Sequence, residues 1–137
     1  MSFVFTNHYS GYFTNDDGDL AGISLVIATN FLPGLVSGKT LVATNPAAAT
    51  GTSLKFVNRV SFAQTGSGGS GTGLYTLTRY SPVSGMLILT YTNVAKLGQV
   101  AYVQTTFTNA ANGVFFVNSF DNLGNLQSTS NGKFKLQ

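Results

Sequence analysis

Few side chains in this chain could carry acid–base, nucleophilic or metal chemistry. The sequence has no Glu, Cys or Trp, a single histidine (His8) and four acidic residues, three of which lie in the run Asp16-Asp17-Gly18-Asp19. Enzymes take most of their general acids and bases from His, Glu and Asp, and most metal ligands come from these types and Cys. The composition therefore predicts a protein without catalytic residues and without a resident cofactor or metal.

The acidic run resembles the start of a calcium-binding loop. Asn15, Asp17 and Asp19 place oxygen ligands at alternate positions, as the EF-hand loop does. However, Leu20 occupies the position at which that loop needs Gly, and the chain has no Glu to close the coordination sphere. An Asp-Gly hairpin turn is the preferred interpretation. A weak, irregular Ca²⁺ site formed by Asn15, Asp17 and Asp19 is the alternative.

Two further features invite a functional interpretation. The sequence GSGGSG at 66–71 has the GxGxxG spacing of dinucleotide-binding loops, but no helical pattern follows it and no acid occurs between Asp19 and Asp121. It predicts a flexible hairpin loop instead. His8, beside Tyr9, has the chemistry of a general base. A lone histidine near a terminus is more typical of a surface or packing residue, and we expect that role here.

The charge distribution argues against a nucleic-acid partner. Charged residues make up 8% of the chain and the net charge is +3, but the seven Lys and Arg residues are dispersed and form no basic run. A surface made of neutral polar groups favours an extracellular or particle-associated location. Residues 1–8 lack the cationic start and apolar run of a signal peptide, and no apolar stretch is long enough for a membrane-spanning helix.

The chain is typical of an all-β protein. Segments rich in Val, Ile, Thr, Tyr and Phe recur along it, and no long window has helical periodicity. Short connections favour antiparallel pairing. We therefore expect one domain, residues 1–137, with an antiparallel meander of eight to ten strands that forms a small up-and-down barrel or, alternatively, a two-layer sandwich. The predicted strand segments are 22–29, 38–44, 52–64, 72–80, 85–92, 99–109, 113–120 and 132–136.

Turn residues mark the ends of these segments. Ser81-Pro82-Val83-Ser84 has Pro where a type I turn places it, with Gly85 free to adopt a left-handed conformation. Asn-Gly pairs at 112–113 and 131–132 predict hairpins, and DNLG at 121–124 predicts another turn. A glycine followed two positions later by an aromatic residue recurs at 11–13, 73–75 and 113–115. This pattern indicates a repeated need for glycine at strand ends.

Several strand and turn patterns recur over the last 100 or so residues: GKTL at 38–41, TGLYTLTR at 72–79, SGMLILTY at 84–91, TFTN at 106–109, GVF at 113–115 and GKFKL at 132–136. With these patterns the chain resembles Gly/Thr-rich bacterial proteins built as small lipocalin-like (calycin-like) barrels. The resemblance implies a β-barrel that binds a small apolar ligand or has no known role, and it assigns no catalytic residue.

Two predicted strands are apolar on both faces, MLIL at 86–89 and VFFV at 114–117. Side chains alternate along a strand, so Met86 and Ile88 share one face of theirs, as Val114 and Phe116 do on theirs. In a barrel only one face can line the interior. We therefore expect a non-catalytic structural subunit that forms a homo-oligomer through these four residues. A module that binds a small apolar or sugar-like ligand is the alternative, followed by a barrel that promotes cyclisation by shape alone.

Overall fold

The computed structural model describes residues 2–5, 10–14, 20–24, 31–34, 36–45 and 50–137. In these residues the chain consists of antiparallel strands, their connections and one short 3-10 helix at Val94–Lys96. The strands are β1 (Ser2–Phe5), β2 (Ser10–Thr14), β3 (Leu20–Ser24), β4 (Thr40–Asn45), β5 (Thr50–Phe56), β6 (Ser61–Gly66), β7 (Gly71–Arg79), β8 (Ser84–Tyr91), β9 (Val100–Phe107), β10 (Asn112–Phe120) and β11 (Leu126–Leu136).

Strands β4 to β11 form one closed barrel of eight strands. Each strand pairs with the next one along the chain, and β11 closes the barrel by pairing with β4, where Lys133 lies opposite Thr44 and Leu136 opposite Leu41. The expected antiparallel meander is confirmed. It closes as an up-and-down barrel rather than as the alternative two-layer sandwich, so none of its strands is an unpaired edge.

Strands β1, β2 and β3 form a separate antiparallel sheet in that order. Strand β3 overlaps the start of the predicted segment 22–29, and positions 25–29 lie outside the described residues. The single domain over residues 1–137 stays a prediction.

One predicted strand is wrong because it contains a turn. Segment 52–64 is divided into β5 and β6 by residues 57–60. The backbone amide of Val57 donates to the carbonyl oxygen of Ser61. The Oδ1 atom of Asn58 accepts hydrogen bonds from the backbone amides of Val60 and Ser61 at 2.9 and 2.8 Å. A single asparagine side chain therefore stabilises this turn without glycine or proline.

The predicted turns have mixed outcomes. The turn at 81–84 is confirmed, since the amides of Tyr80 and Ser81 both donate to the carbonyl oxygen of Ser84. Gly85 does not adopt a positive φ, because it is already the second residue of β8. The turn at 121–124 is confirmed as well, and Gly124 has a φ of 85°. The hairpin predicted at 112–113 lies slightly earlier, at 108–111, so that residue 112 begins β10.

The hairpin predicted at Asn131-Gly132 is wrong. Both residues lie within β11, with Asn131 opposite Phe116 and Gly132 opposite Phe115. The barrel needs this glycine for a close approach of strands, because a Cβ atom there would lie 2.2 Å from the carbonyl oxygen of Thr44. The Asn-Gly signal depends on local geometry alone, and the pairing of both residues with β10 overrides it.

The recurrent strand-end glycine has a similar cause. A Cβ atom on Gly113 would lie 2.3 Å from the carbonyl oxygen of Thr106 and 2.5 Å from the ring of Phe134. The ring of Phe134 packs edge-on against that of Phe107, with a centroid separation of 4.8 Å. Gly113 therefore allows β9, β10 and β11 to curve tightly around an aromatic pair, as a small barrel requires.

The two ends of the barrel differ. At one end, which we call the closed end, lie the turns at 57–60, 80–83 and 108–111, and the amide of Gly38 donates there to the carbonyl oxygen of Phe56. Leu32 and Val36 are buried there among the core side chains. The Leu32 amide donates to the carbonyl oxygen of Pro82, and Arg79 Nη2 donates to the carbonyl oxygen of Leu32 at 2.6 Å. The connections at 66–71, 92–99 and 121–125 lie at the opposite end, which we call the mouth.

Candidate functional site

A cavity of about 620 Å³ occupies the half of the barrel nearer the mouth. The closed end, by contrast, holds a void of only about 20 Å³, lined mostly by apolar side chains that include Leu32 and Val36. The core is thus packed at one end and open at the other. Cavities of about 300–1,000 Å³ are the usual size of small-molecule sites.

The wall of this cavity is apolar because of strand alternation. Leu87 and Leu89 on β8 point inward, and so do Phe115 and Val117 on β10. The inward-facing side chains of these two strands therefore line the cavity, and they also pack against the hydrophobic core. The apolar side chains of the wall are Leu41, Ala43, Leu54, Leu87, Leu89, Val100, Ala101, Val103, Phe115, Val117 and Phe120.

The rim of the cavity is polar and reaches the surface. Gln127 and Ser128 line it and are solvent-exposed, which connects the cavity with the outside. Among the described residues of this lining, Lys96 is the one that carries a charge, and the rest of the rim offers hydroxyl and amide groups. The polar side chains of the lining are Asn45, Thr52, Gln64, Ser67, Tyr91, Lys96, Gln99, Ser119, Gln127, Ser128 and Ser130.

Two buried polar side chains support the loop at 66–71. The hydroxyl of Tyr91 donates to Oε1 of Gln64, and Nε2 of Gln64 donates to the carbonyl oxygens of Gly68 and Gly69 at 3.0 and 3.1 Å. All hydrogen-bond donors of these two side chains are used within the protein. Burial raises the pKa of Tyr91 to about 12, so its hydroxyl keeps its proton at neutral pH.

Close packing fixes the ring of Tyr91. A Cβ atom at Gly71 would lie 2.7 Å from Cε1 of Tyr91, so a side chain there would displace the ring. The same ring packs edge-on against Phe62, with a centroid separation of 5.3 Å. The GxGxxG segment thus connects β6 to β7, and its last glycine makes room for an aromatic ring. Its function in this structure is that of a hairpin loop.

Lys96 lies on the rim of the cavity beside this loop. Its Nζ donates to the carbonyl oxygen of Gly68 at 2.7 Å and lies 4.9 Å from the centroid of the Tyr91 ring. The short 3-10 helix at Val94–Lys96 positions the lysine in the connection between β8 and β9. Partial burial lowers the pKa of Lys96 from its usual value.

The four residues predicted as an interface all lie on the outside of the barrel. Met86 and Ile88 alternate with the buried Leu87 and Leu89 and are half-buried. Val114 is 44% exposed and Phe116 is 41% exposed. The register brings the two strands together, since Gln104 of β9 lies between Met86 and Phe116. With Tyr102, which is 42% exposed and lies opposite Ile88, these residues form what we call the outer apolar face.

The remaining sequence candidates belong to the acidic run and to the N-terminal segment. Asn15, Asp17, Asp19 and His8 lie outside the described residues. In the described part of the chain, no cluster of His, Cys, Asp and Glu has the arrangement of a metal site. None of the helices described there is long and apolar enough to cross a membrane.

Sequence reasoning missed the polar residues of the rim. Gln64, Tyr91 and Lys96 come from three separate segments, and no local motif links them. One signal was present: Tyr91 continues the inward alternation of Leu87 and Leu89, and Gln64 continues that of Phe62. A polar group at an inward position near a strand end predicts either a buried hydrogen bond or a wet cavity. Comparisons with protein-family models, curated proteins and solved structures find no match to this chain.

Proposed function

We propose that this barrel is a non-catalytic binding module that holds a small, mostly apolar ligand in its cavity. The observation that carries the proposal is the cavity itself, at about 620 Å³ with an apolar wall and a polar rim. A small domain normally fills its interior to the density of an organic crystal, and an unfilled apolar space forfeits packing energy. A ligand with an apolar body would recover that energy by leaving water for the wall.

The chemistry of the cavity supports binding over catalysis. In the described residues its lining contains no carboxylate, histidine or thiol, so it lacks the side chains that most often act as general acids and bases. The hydroxyl of Tyr91 is committed to Gln64, and burial holds its pKa near 12. The site can therefore shield and orient a ligand, while the rim amides and hydroxyls hydrogen-bond its polar end.

The test uses an uncharged, environment-sensitive probe, N-phenylnaphthylamine, whose fluorescence increases in an apolar site. We expect saturable binding at one probe per chain. Val117→Trp fills the cavity from β10 and should weaken probe binding at least tenfold. Val114→Trp adds the same bulk on the opposite face of the same strand and should leave probe binding unchanged. Absence of saturable binding, or equal losses in the two variants, would contradict the proposal.

A second function, self-association, is favoured by the outer apolar face. Val114, Phe116 and Tyr102, each 41–44% exposed, lie together on neighbouring strands, and burying what remains exposed of such side chains is worth about 1 kcal/mol each. We expect light scattering after size exclusion to give more than one chain per particle. Phe116→Lys should dissociate it, whereas Thr65→Lys, on β6 across the barrel, should not. A monomer at micromolar concentration would exclude this second function and leave the first intact.

A further inference from the structure

Among the described residues, the rim of the cavity carries one charged side chain, and the structure holds it in place. Lys96 Nζ is held on one side by the carbonyl oxygen of Gly68 at 2.7 Å and on another by the ring of Tyr91, 4.9 Å from its centroid. An ammonium group has three N–H donors, and the Gly68 carbonyl takes one of them. The other two N–H groups of Lys96 can donate to a ligand, and the ammonium group is already positioned beside the cavity.

The described residues place no acid against this lysine. The cavity lining contains no carboxylate. Asp121, in the neighbouring mouth connection, uses its oxygens within its own turn. It accepts hydrogen bonds from the amides of Leu123 and Asn125 and from the side chains of Asn125 and Gln127. In this part of the chain Lys96 therefore has no counter-charge of its own.

The other polar side chains nearest to Lys96 cannot take its place. Both N–H donors of the Gln64 amide go to backbone carbonyls of the 66–71 loop, and the Tyr91 hydroxyl goes to Gln64. Their function is to hold the loop and the ring against which Lys96 lies. At this point of the rim the ammonium group has donors to spare, and among the described residues there it is the group that carries charge.

We propose that the cavity selects apolar ligands that carry an anionic head group, with Lys96 as the residue that recognises the charge. The inference rests on the proposed function, since the apolar body of the ligand occupies the cavity. A hydrogen bond between an ammonium and an anionic oxygen is about twice as strong as one between neutral groups. The partly apolar surroundings of Lys96 strengthen it further, because the local dielectric constant is lower than that of water. An alcohol with the same chain gains neither effect.

The experiment measures displacement of N-phenylnaphthylamine by three ligands with the same alkyl chain: dodecanoate, dodecyl phosphate and dodecanol. Wild-type protein should bind dodecanoate at least tenfold more tightly than dodecanol. Lys96→Gln should reduce this preference to within twofold, because dodecanoate binding weakens far more than dodecanol binding does. Lys96→Arg, which keeps the charge, should retain the preference. The arm with dodecyl phosphate shows whether a carboxylate or a phosphate is the preferred anion.

The control for net charge is Lys39→Gln, which removes an exposed cation at the closed end. This variant should keep the wild-type preference. If wild-type protein binds the probe but shows no preference for the two anions over dodecanol, the inference about Lys96 is overturned and the proposed function stands. An anion preference that survives in Lys96→Gln also overturns it. If the probe and all three ligands fail to bind, the proposed function falls and this inference falls with it.

Discussion

The ammonium group of Lys96 lies over the aromatic ring of Tyr91, with Nζ 4.9 Å from the ring centroid. The hydroxyl of the same tyrosine donates a hydrogen bond to the buried Gln64, so Tyr91 contacts both the interior of the barrel and the lysine on its rim. A cation over an aromatic face gains about 0.5–2 kcal/mol, depending on its desolvation. Disturbing Tyr91 should therefore affect both the stability of the barrel and the position of Lys96.

Tyr91→Phe should destabilise the protein by about 1–2 kcal/mol. The change leaves the Oε1 atom of the buried Gln64 without its donor, and an unsatisfied buried acceptor costs roughly that amount. Urea denaturation followed by circular dichroism measures the loss. Tyr102→Phe removes the same hydroxyl from the outer apolar face and should change the stability by less than about 0.5 kcal/mol. Equal effects of the two changes would show that the hydrogen bond to Gln64 contributes nothing.

Stability should fall at alkaline pH in a way that depends on Tyr91. Burial raises its pKa from 10.0 to about 12 in the folded protein. Below pH 10 the folded and unfolded states both hold the proton. Between the two values only the unfolded state releases it, so unfolding becomes easier as the pH rises. We expect a loss on the order of 2 kcal/mol between pH 9 and pH 12, measured by denaturant midpoints. Tyr91→Phe should lose clearly less over the same range.

Gly113→Ala should lower the free energy of unfolding by about 1–3 kcal/mol or more, because it adds a methyl group to a site that is already filled. The new Cβ would lie 2.3 Å from the carbonyl oxygen of Thr106, which the strand pairing holds in place. Gly34→Ala is the matched control, because no heavy atom lies within 4 Å of the Cβ position there and its φ is not in the left-handed region. Thermal denaturation of the two variants should show a large decrease in Tm for the first and almost none for the second.

The carboxyl group of Asp121 should titrate below its ordinary value. Hydrogen bonds from the side chain and the amide of Asn125 lower its pKa from 3.8, and those from Leu123 and Gln127 add to the effect. The resulting stabilisation of the turn is present above pH 3.8 and is lost as the pH falls through the lower pKa that Asp121 has in the folded protein. NMR titration of the wild type and of Asn125→Ala measures the pKa of Asp121 in each protein. In the variant this pKa should lie closer to 3.8. An unchanged titration in Asn125→Ala would contradict the assigned cause.

Much of the local structure was predictable because its causes are local. The turn at 81–84 follows from the position of Pro82, and the turn at 121–124 follows from Asp121 and Gly124. Alternation correctly separated Leu87 and Leu89 from Met86 and Ile88. The errors have non-local causes: Asn131-Gly132 extends a strand because both residues pair with β10, and β11 goes on to pair with β4 from Lys133. Asn58 makes a turn through its own side chain, a signal weaker than glycine or proline.

The sequence by itself determined an all-β antiparallel meander, because side-chain alternation and short turns act over a few residues. It also showed that two strands are apolar on both faces, but it did not say which face meets water. Tertiary structure alone decided that β11 pairs with β4 to close a barrel, since loop closure joins segments about 90 residues apart, as in the pairing of Lys133 with Thr44. Closure also determined how much space the inward side chains leave, and so produced a cavity of about 620 Å³. It brought Gln64, Tyr91 and Lys96 together at the rim, because residues from different strands become neighbours only when the register of the whole barrel is set.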